Sequence, residues 1–266
     1  MPAPSAPRIA ALVPMRHHSE RVPGKNYRPF CGEPLYRHVV RALLACPRIT
    51  DVVIDTDSPA IRDDAAACFP AVRVLERPPH LRDGATPMND VLLHTVRRVE
   101  ADLYLQTHST NPLLRPETIA RALARFDAEA PRHDSLFSVT RLQTRLWDAA
   151  GRPVNHDPAV LLRTQDLEPL YEENSCLYLF SRDTLERRGN RIGARPMRFE
   201  IAAEEAWDID EELDFRVAEF LFAHRHEPAE SSHEGPDLRP LHDPVRRSLP
   251  PAVRGARRGP RRAHGA

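Results

Sequence analysis

The chain has 266 residues, 41% of them hydrophobic, and its 38 acidic residues balance 38 basic ones. A net charge of zero argues against a general nucleic-acid or membrane surface, and no apolar run approaches the roughly 20 residues needed to span a bilayer. The size allows one substantial core with or without a small second lobe. The first residues lack the pattern of a signal peptide, and no C-x-x-C pair occurs among the cysteines, so we expect a reduced, cytoplasmic protein without disulfides.

The first half of the chain alternates strand-like and helix-like segments. Residues 9–14 and 51–55 are predicted strands, separated by an amphipathic helix at 35–45. Helices and strands then follow in turn at 61–68, 72–75, 88–99, 103–106, 116–126 and 135–139. This pattern predicts an α/β fold with a mostly parallel sheet, helices on both faces, and ligands bound beyond the carboxyl ends of the strands.

The alternation weakens from residue 140 to residue 196, where longer connections surround one clear strand at 175–180. We interpret this stretch as an inserted lobe or arm, followed by a strand at 197–201 and a last helix at 213–223. Residues 227–266 are rich in Pro and Arg and poor in large apolar side chains. Such a segment cannot offset the entropy of ordering, so we expect a disordered tail rather than one that binds RNA or acidic lipid.

The loop after the first predicted strand concentrates positive charge. Lys25 is the only lysine of the chain, and all the other basic residues are arginine. Because lysine is a compact point charge and arginine a planar fork, a site that needs one ammonium against a phosphate oxygen would keep its lysine. The neighbours of Lys25 are mostly basic or polar, with one acid: Arg16, Ser19, Arg21, Arg28 and Glu20. The loop is neither a Walker loop nor G-x-G-x-x-G, but its position predicts a polyphosphate site.

Asp208 and Asp210 stand two residues apart before the last predicted helix. In an extended backbone both carboxylates face the same side. Two such oxygen donors, completed by water and substrate phosphates, describe a Mg²⁺ site. The alternative is a helix N-terminus, where acids are stabilised by the helix dipole, and three neighbouring acids fit that alternative better: Glu211, Glu212 and Asp214.

Two further polar runs, residues 55–57 and 106–112, follow strands at the same predicted edge of the sheet. They would hold a base or a sugar, or cap the following helices, and the sequence leaves both interpretations open. His17 and His18 lack a third ligand at recognisable spacing, so we do not predict a metal site there. Cys176 lies within a predicted strand and is interpreted as a core residue.

In chain order, these segments resemble the acylneuraminate cytidylyltransferase family, the CMP-sialic acid synthetases and their relatives. The first-loop motif of that family, R-x-G-S-K-x-x-P-x-K-N, is matched by Arg16, Ser19, Pro23, Lys25 and Asn26. Further matches fall at residues 32–35, 55–57, 77–78 and 110–113. Residues 174–178 correspond to N-G-A-I-Y, and residues 208–215 correspond to D-I-D-x-x-x-D-F, so the resemblance extends over residues 9–221.

The resemblance implies a three-layer, Rossmann-like nucleotidyltransferase fold over residues 8–226. It also implies a homodimer whose subunits exchange a dimerisation arm at about residues 140–196. The implied reaction transfers CMP from CTP to the anomeric hydroxyl of a 2-keto-3-deoxy sugar acid such as N-acetylneuraminate, releases pyrophosphate and uses Mg²⁺.

Carried over residue by residue, the resemblance implies the following site. The residues that would bind CTP are Arg16, Ser19, Lys25 and Asn26, with Arg77 and Thr86 near the cytosine. Those on the sugar-acid side would be His108 or Gln106, together with Asn174 and Tyr178. Asp208 and Asp210 would bind Mg²⁺. The residues predicted to carry catalysis, by positioning and by neutralising charge, are Lys25, Arg16, Arg21 and Asp210.

The chain departs from the family pattern at three positions. His18 and Glu20 replace a glycine and a lysine of the first loop, where Arg21 would substitute for the lysine, and Ser175 replaces the glycine after Asn174. These departures leave two alternatives open. One is a different acceptor, such as a modified nonulosonate, an eight-carbon keto-deoxy acid or a phosphonate. The other is a CTP-binding sensor without catalysis.

Overall fold

The computed structural model describes residues 6–130 and 132–225. The strands in this part of the chain are β1 (Ile9–Met15), β2 (Pro29–Phe30), β3 (Glu33–Pro34), β4 (Asp51–Thr56), β5 (Arg73–Glu76), β6 (Leu103–Gln106), β7 (Ser135–Leu142), β8 (Leu170–Phe180) and β9 (Pro196–Glu200). The helices are α1 (Leu35–Leu44), α2 (Pro59–Cys68), α3 (Met88–Val96), α4 (Pro116–Glu129), α5 (Arg182–Arg188) and α6 (Glu212–His224).

The described residues form one seven-stranded sheet in the order β5-β4-β1-β6-β8-β7-β9, and β2 and β3 form a separate short hairpin. Strands β5, β4, β1 and β6 are parallel. Strand β8 runs antiparallel to both β6 and β7, and β9 is parallel to β7. The predicted mostly parallel α/β sheet is therefore confirmed, with β8 as the reversed strand.

Strand β1 shows why the sheet has helices on both faces. All seven of its residues are buried, as expected for a strand covered on both sides. Ile9, Ala11 and Val13 pack in one apolar cluster with residues of α1, α2 and α4. Ala10 and Leu12 point to the opposite face and pack with residues of α3 and α5. This alternation produces the predicted three layers, and the carboxyl ends of β1, β4 and β6 meet at one edge of the sheet.

Most predicted segments match the observed elements within a few residues, and the differences have local causes. Helix α3 ends at Val96, three residues before the predicted end. Helix α5 was not predicted, because only Leu185 of its seven residues is buried and the segment carries no apolar periodicity. Strands β7 and β8 are longer than predicted, since their distal parts pair with each other.

The distal parts of β7 and β8 lead into residues 143–169, which are mostly loop. Several large apolar side chains are exposed here, the most exposed being Leu161 at 89%. These residues lie within the stretch of about 140–196 that was predicted to be a dimerisation arm, and the arm stays a prediction. The rest of that stretch includes β8 and α5. The predicted disordered tail, 227–266, lies outside the described residues. No helix in the described part of the chain is long and apolar enough to cross a membrane.

Candidate active site

A cavity of 540 Å³ lies at the carboxyl ends of β1 and β6, and Arg77, directly after β5, also lines it. Ten of the predicted site residues line it: Arg16, Ser19, Arg21, Lys25, Asn26, Arg77, Thr86, His108, Asp208 and Asp210. Three predicted residues, Gln106, Asn174 and Tyr178, do not line this cavity. The structure therefore brings the basic loop and the acidic pair together, although nearly 190 residues separate them in sequence.

The first loop presents Lys25 at the start of a short 3-10 turn. Gly24, directly before it, has a φ of +67°, and a Cβ at this position would lie 3.0 Å from the ring of Tyr27, so the turn favours glycine. The ammonium of Lys25 donates a hydrogen bond to the carbonyl of Ile209. Burial lowers the pKa of Lys25, and the charges of Asp208 and Asp210 oppose that shift. Lys25 thus lies against the acidic segment.

The arginines of the loop divide into two groups. Arg21 reaches the cavity, where its Nη2 lies 2.5 Å from Oδ1 of Asp210. Arg28 does not, and its assignment to the phosphate cluster was wrong. It donates two hydrogen bonds, of 2.6 and 2.8 Å, to the carboxylate of Glu212 and lies 4.2 Å from the ring centroid of Phe215. The first turn of α6 therefore holds Arg28.

Asn26 and Ser19 line the cavity, but their side chains already bind protein groups. The amide nitrogen of Asn26 donates to the carbonyl of Arg16 over 2.9 Å, and its amide oxygen accepts from Ser109 Oγ over 2.8 Å. Ser19 Oγ accepts from the backbone N–H of Val22 over 3.4 Å. These bonds fix the shape of the loop and tie it to the segment after β6, so both residues position the basic side chains.

The acidic pair has the geometry expected of an extended segment. Ile209 is fully buried in an apolar cluster, whereas Asp208 and Asp210 both line the cavity. Burial raises the pKa of Asp208, and Thr110 and Lys25 partly offset this rise. Oδ1 of Asp208 is buried without a hydrogen-bond partner among the described residues.

The donor set of this pair fits a Mg²⁺ ion, because an orphaned buried carboxylate oxygen is a hard donor with no protein partner. No group of three or more His, Cys, Asp or Glu side chains in the described ranges could hold a metal alone, so phosphates and water would supply the other ligands. The neighbouring acids instead belong to α6, as predicted. Glu211 caps the helix and forms a capping box with Asp214.

Arg77 lies on the side of the cavity predicted to face the base. It is only 2% exposed, and its Nε donates to Oδ1 of Asp55 over 2.6 Å. Asp55 also accepts a 3.0 Å hydrogen bond from Thr95 Oγ1. Asp57 accepts a 2.7 Å hydrogen bond from the backbone N–H of His17. The polar run at the end of β4, residues 55–57, therefore holds other parts of the site in place.

The residues predicted for the sugar-acid side lie at different depths. His108 lines the cavity, and burial, together with the charges of Arg191 and Lys25, lowers its pKa to about 4. Gln106 and Tyr178 are fully buried, and both contact Arg191. Asn174 accepts from Ser138 Oγ and donates to Thr140 Oγ1, so its amide supports β7 and β8.

Ser175 has a φ of +60°, in the left-handed region that favours glycine. This explains why a glycine would suit the position. Ser175 also lines both the main cavity and a neighbouring cavity of 420 Å³ that includes Asn174. His18, at the other position where glycine was expected, does not have a positive φ, so a side chain is accommodated there without backbone strain.

Sequence reasoning missed some cavity residues, among them Asp83 and Gly84, since loops carry no periodicity that would indicate where they fold back. Ser109 and Thr110, which also line the cavity, belong to the polar run 106–112. Nδ1 of His17 is hydrogen-bonded to Oγ of Ser58 over 2.7 Å, and the His17 ring stacks on the ring of Tyr27.

Cys176 is fully buried, which confirms its interpretation as a core residue.

Comparison with known proteins identifies the family of this chain. A family described as Cytidylyltransferase matches residues 10–228. N-acylneuraminate cytidylyltransferase A of Danio rerio is 28% identical over 219 residues, covering 79% of this chain and 50% of the fish protein. CMP-N,N'-diacetyllegionaminic acid synthase of Legionella pneumophila is 30% identical over 237 residues, covering 80% of this chain and 96% of the bacterial protein.

The chain spans about half the length of the fish cytidylyltransferases that it matches. Among solved structures, CMP:2-keto-3-deoxy-manno-octonic acid synthetase complexed with CTP is similar with a TM-score of 0.63. That alignment covers 82% of this chain and 99% of the solved one at 16% identity, and it supports the nucleotidyltransferase fold.

Proposed function

The chain belongs to the cytidylyltransferase family, and we propose that it transfers CMP from CTP to a 2-keto-3-deoxy sugar acid, releasing pyrophosphate. The observation that carries the proposal is the convergence of Lys25 and Arg21 on Asp208 and Asp210 inside one cavity. A cavity with cations for phosphates beside two carboxylates for a metal suits phosphoryl transfer, in which positioning and charge neutralisation supply most of the catalysis.

We assign the triphosphate to the basic loop. Lys25, Arg16 and Arg21 supply three positive charges at the carboxyl end of β1. In this position they would neutralise the charge that accumulates on the leaving pyrophosphate. We assign the base to the side of the cavity formed by Thr86 and by Arg77, which is held by Asp55. The half-buried setting of Lys25 strengthens its electrostatic effect relative to a solvent-exposed lysine.

Asp208 and Asp210 would hold Mg²⁺, which when bound supplies positive charge against the phosphate oxygens. The two carboxylates would contribute two ligands, and the orphaned Oδ1 of Asp208 would gain a partner. Arg21 neutralises Asp210 in this structure. On nucleotide binding, the Arg21 guanidinium would leave the carboxylate and contact the triphosphate instead.

The acceptor hydroxyl would attack the α-phosphorus of CTP in line with the departing pyrophosphate. A P–O bond to the acceptor forms as the bond to the β-phosphate oxygen breaks, and the hydroxyl proton leaves to solvent. No protein nucleophile is required. His108 is neutral at physiological pH because its pKa is about 4, so we assign it a hydrogen-bonding role toward the acceptor.

A nonulosonate is the preferred acceptor class, because relatives that match most of this chain are named for sialic acid and for diacetyllegionaminic acid. We further propose a homodimer formed through residues 140–196, on the basis of the apolar side chains exposed there. The four cysteines are unpaired, which suits the cytoplasmic setting that we assign to the reaction.

The test is pyrophosphate release from each of the four nucleoside triphosphates, with Mg²⁺, against a panel of keto-deoxy sugar acids. The proposal expects turnover with CTP and one acid, and loss of that turnover when Mg²⁺ is chelated. CTP binding without turnover of any acid would instead favour the sensor. Turnover of a different triphosphate would contradict the proposed nucleotide.

A further inference from the structure

Arg191 acts electrostatically on His108, a residue of the cavity lining, and its direct contacts in the described part of the chain are with uncharged side chains. It lies in the connection between α5 and β9. Its guanidinium carbon is 3.5 Å from the ring centroid of Tyr178, and its Nη1 donates to Oε1 of Gln106 over 2.5 Å. Its backbone N–H donates to Oδ1 of Asn89 over 3.3 Å. These contacts hold the guanidinium in place without neutralising it.

Arg191 is partly buried, yet no carboxylate pairs with its positive charge in the described part of the chain. Burial lowers the pKa of Arg191, which indicates that desolvation outweighs the stabilisation from its surroundings. The charge of Glu173 raises the pKa of Arg191 against this effect, but the Glu173 carboxylate accepts a hydrogen bond from the hydroxyl of Tyr178. Arg191 forms no ion pair with any carboxylate of residues 6–130 and 132–225. By contrast, the more deeply buried Arg77 is paired with Asp55.

Unpartnered polar atoms lie in the same region. Nε2 of Gln106 and Nε2 of His108 are buried, and neither has a hydrogen-bond partner in the described part of the chain. Arg191 is close enough to His108 to lower its pKa, and His108 lines the main cavity. Gln106 and Arg191 are not among the lining residues of that cavity and contact each other next to His108. Because buried polar groups in proteins are nearly always satisfied, these unpartnered donors have the composition of a site for an anion with several acceptor oxygens.

We propose that Arg191 binds the carboxylate of the acceptor, an inference that rests on the proposed function. Every 2-keto-3-deoxy sugar acid carries a carboxylate. The planar guanidinium of arginine can donate two parallel hydrogen bonds to a carboxylate, which the ammonium of lysine cannot do. Gln106 keeps the guanidinium oriented, and the unpartnered Nε2 of His108, which lines the cavity, supplies a further hydrogen bond to the acceptor. Arg191 thereby selects acids over neutral sugars, which would leave its charge unpaired.

The experiment compares Arg191→Met and Arg191→Lys with the wild-type protein. The readouts are kcat/KM for the preferred sugar acid, the Kd for CTP, and the preference for that acid over its methyl ester. Arg198→Met is the matched control, because the guanidinium carbon of Arg198 also lies 3.5 Å from a tyrosine ring centroid, that of Tyr171, but Arg198 is an exposed residue of the edge strand β9.

We expect Arg191→Met to lower kcat/KM for the acid about 100-fold, the size of a lost charge-assisted contact, and to abolish the preference for acid over ester. CTP affinity should change less than about threefold, since Arg191 does not touch the basic loop. Arg191→Lys should keep part of the preference, because the charge remains while the fork is lost. Arg198→Met should behave as wild type.

Three results would overturn the assignment. Arg191→Met could retain wild-type kinetics, or it could weaken CTP binding as much as acid use, which would indicate a structural role. It could also leave the acid-to-ester preference intact while changing the choice between acetamido and hydroxyl substituents at C5, which would place the guanidinium on that substituent instead.

Calorimetric titration of N-acetylneuraminate and 3-deoxy-manno-octulosonate into the CTP-bound protein separates this inference from the proposed function. Arg191-dependent binding without turnover would reject the reaction and keep the carboxylate site. Turnover that does not depend on Arg191 would reject the site alone. If no acid binds to the wild-type protein, both are rejected.

Discussion

Arg21 and Asp210, 189 positions apart, form an ion pair in which Nη2 lies 2.5 Å from Oδ1. The pair joins the basic loop after β1 to the acidic segment before α6, and it occupies the place where a triphosphate and its metal would meet. A cation of the loop therefore neutralises a carboxylate in this structure, and under the proposed function bound nucleotide would displace it. Both partners are about half exposed, at 59% and 49%, so the pair contributes less than about 1 kcal/mol to stability.

Asp210→Asn is expected to lower turnover by about 10²–10³ while leaving the melting temperature unchanged. CTP affinity without Mg²⁺ should be equal to or higher than that of the wild type, because an acid facing the triphosphate is removed. Arg187→Ala, which breaks the exposed ion pair with Asp183, is the control and should leave turnover intact. Unchanged turnover in Asp210→Asn would contradict the metal assignment.

Lys25→Arg tests whether the single lysine is required for its shape as well as for its charge. We expect both Lys25→Arg and Lys25→Ala to lose about 10²-fold or more in kcat, because a guanidinium cannot occupy the space of an ammonium that contacts the Ile209 carbonyl. Circular dichroism would check that both variants fold. Wild-type kinetics in Lys25→Arg would show that charge alone is sufficient at this position.

The pH dependence of turnover should follow Asp208, whose pKa is raised by burial. A carboxylate must be ionised to hold a cation, so turnover should fall as the pH decreases through this raised pKa. Raising the Mg²⁺ concentration should shift the acid limb to lower pH, because the metal competes with the proton. Asp183→Asn, at the exposed ion pair with Arg187, is the control and should leave the acid limb in place. An acid limb insensitive to Mg²⁺ would argue against Asp208 as a ligand.

Asp55→Ala is expected to destabilise the protein by about 3–5 kcal/mol, because it leaves the guanidinium of Arg77 buried without its partner. The surface pair of Arg8 and Asp51 provides the comparison, and Asp51→Ala should cost less than about 1 kcal/mol. Urea unfolding monitored by fluorescence measures both values. Equal small losses would show that Arg77 does not depend on Asp55.

Leu161→Glu tests the proposed dimer. The side chain is 89% exposed in the stretch from 140 to 196, so a charge there should convert a dimer into a monomer if this surface is the interface. Leu213→Glu is a matched control, because Leu213 is exposed on α6 outside this stretch. Light scattering after size-exclusion chromatography would report the masses. A monomeric wild-type protein at micromolar concentration would rule out a stable dimer.

Much of the fold could be predicted because its signals are local. Strand β1 is an uninterrupted apolar run, and α1 has one apolar face, so periodicity located both within a residue or two. The convergence of Asp208 and Asp210 also follows from local geometry, since alternate residues of an extended chain face the same side.

Other features depend on contacts between distant segments and left no local signal. Arg28 belongs to the basic loop in sequence, yet Glu212, 184 positions away, binds it outside the cavity. Arg191 lies in an irregular connection, and only folding places it against Gln106 and Tyr178. The reversed direction of β8 likewise depends on its pairing with both β6 and β7.

The most direct test of the account is mass spectrometry of the products formed from CTP, Mg²⁺ and a panel of keto-deoxy sugar acids. We expect one new CMP-sugar acid, formed in equal amount to pyrophosphate and absent when Lys25→Ala replaces the wild type. Recovery of unchanged CTP and unchanged acids from every reaction, with a folded protein that binds CTP, would contradict the transfer reaction.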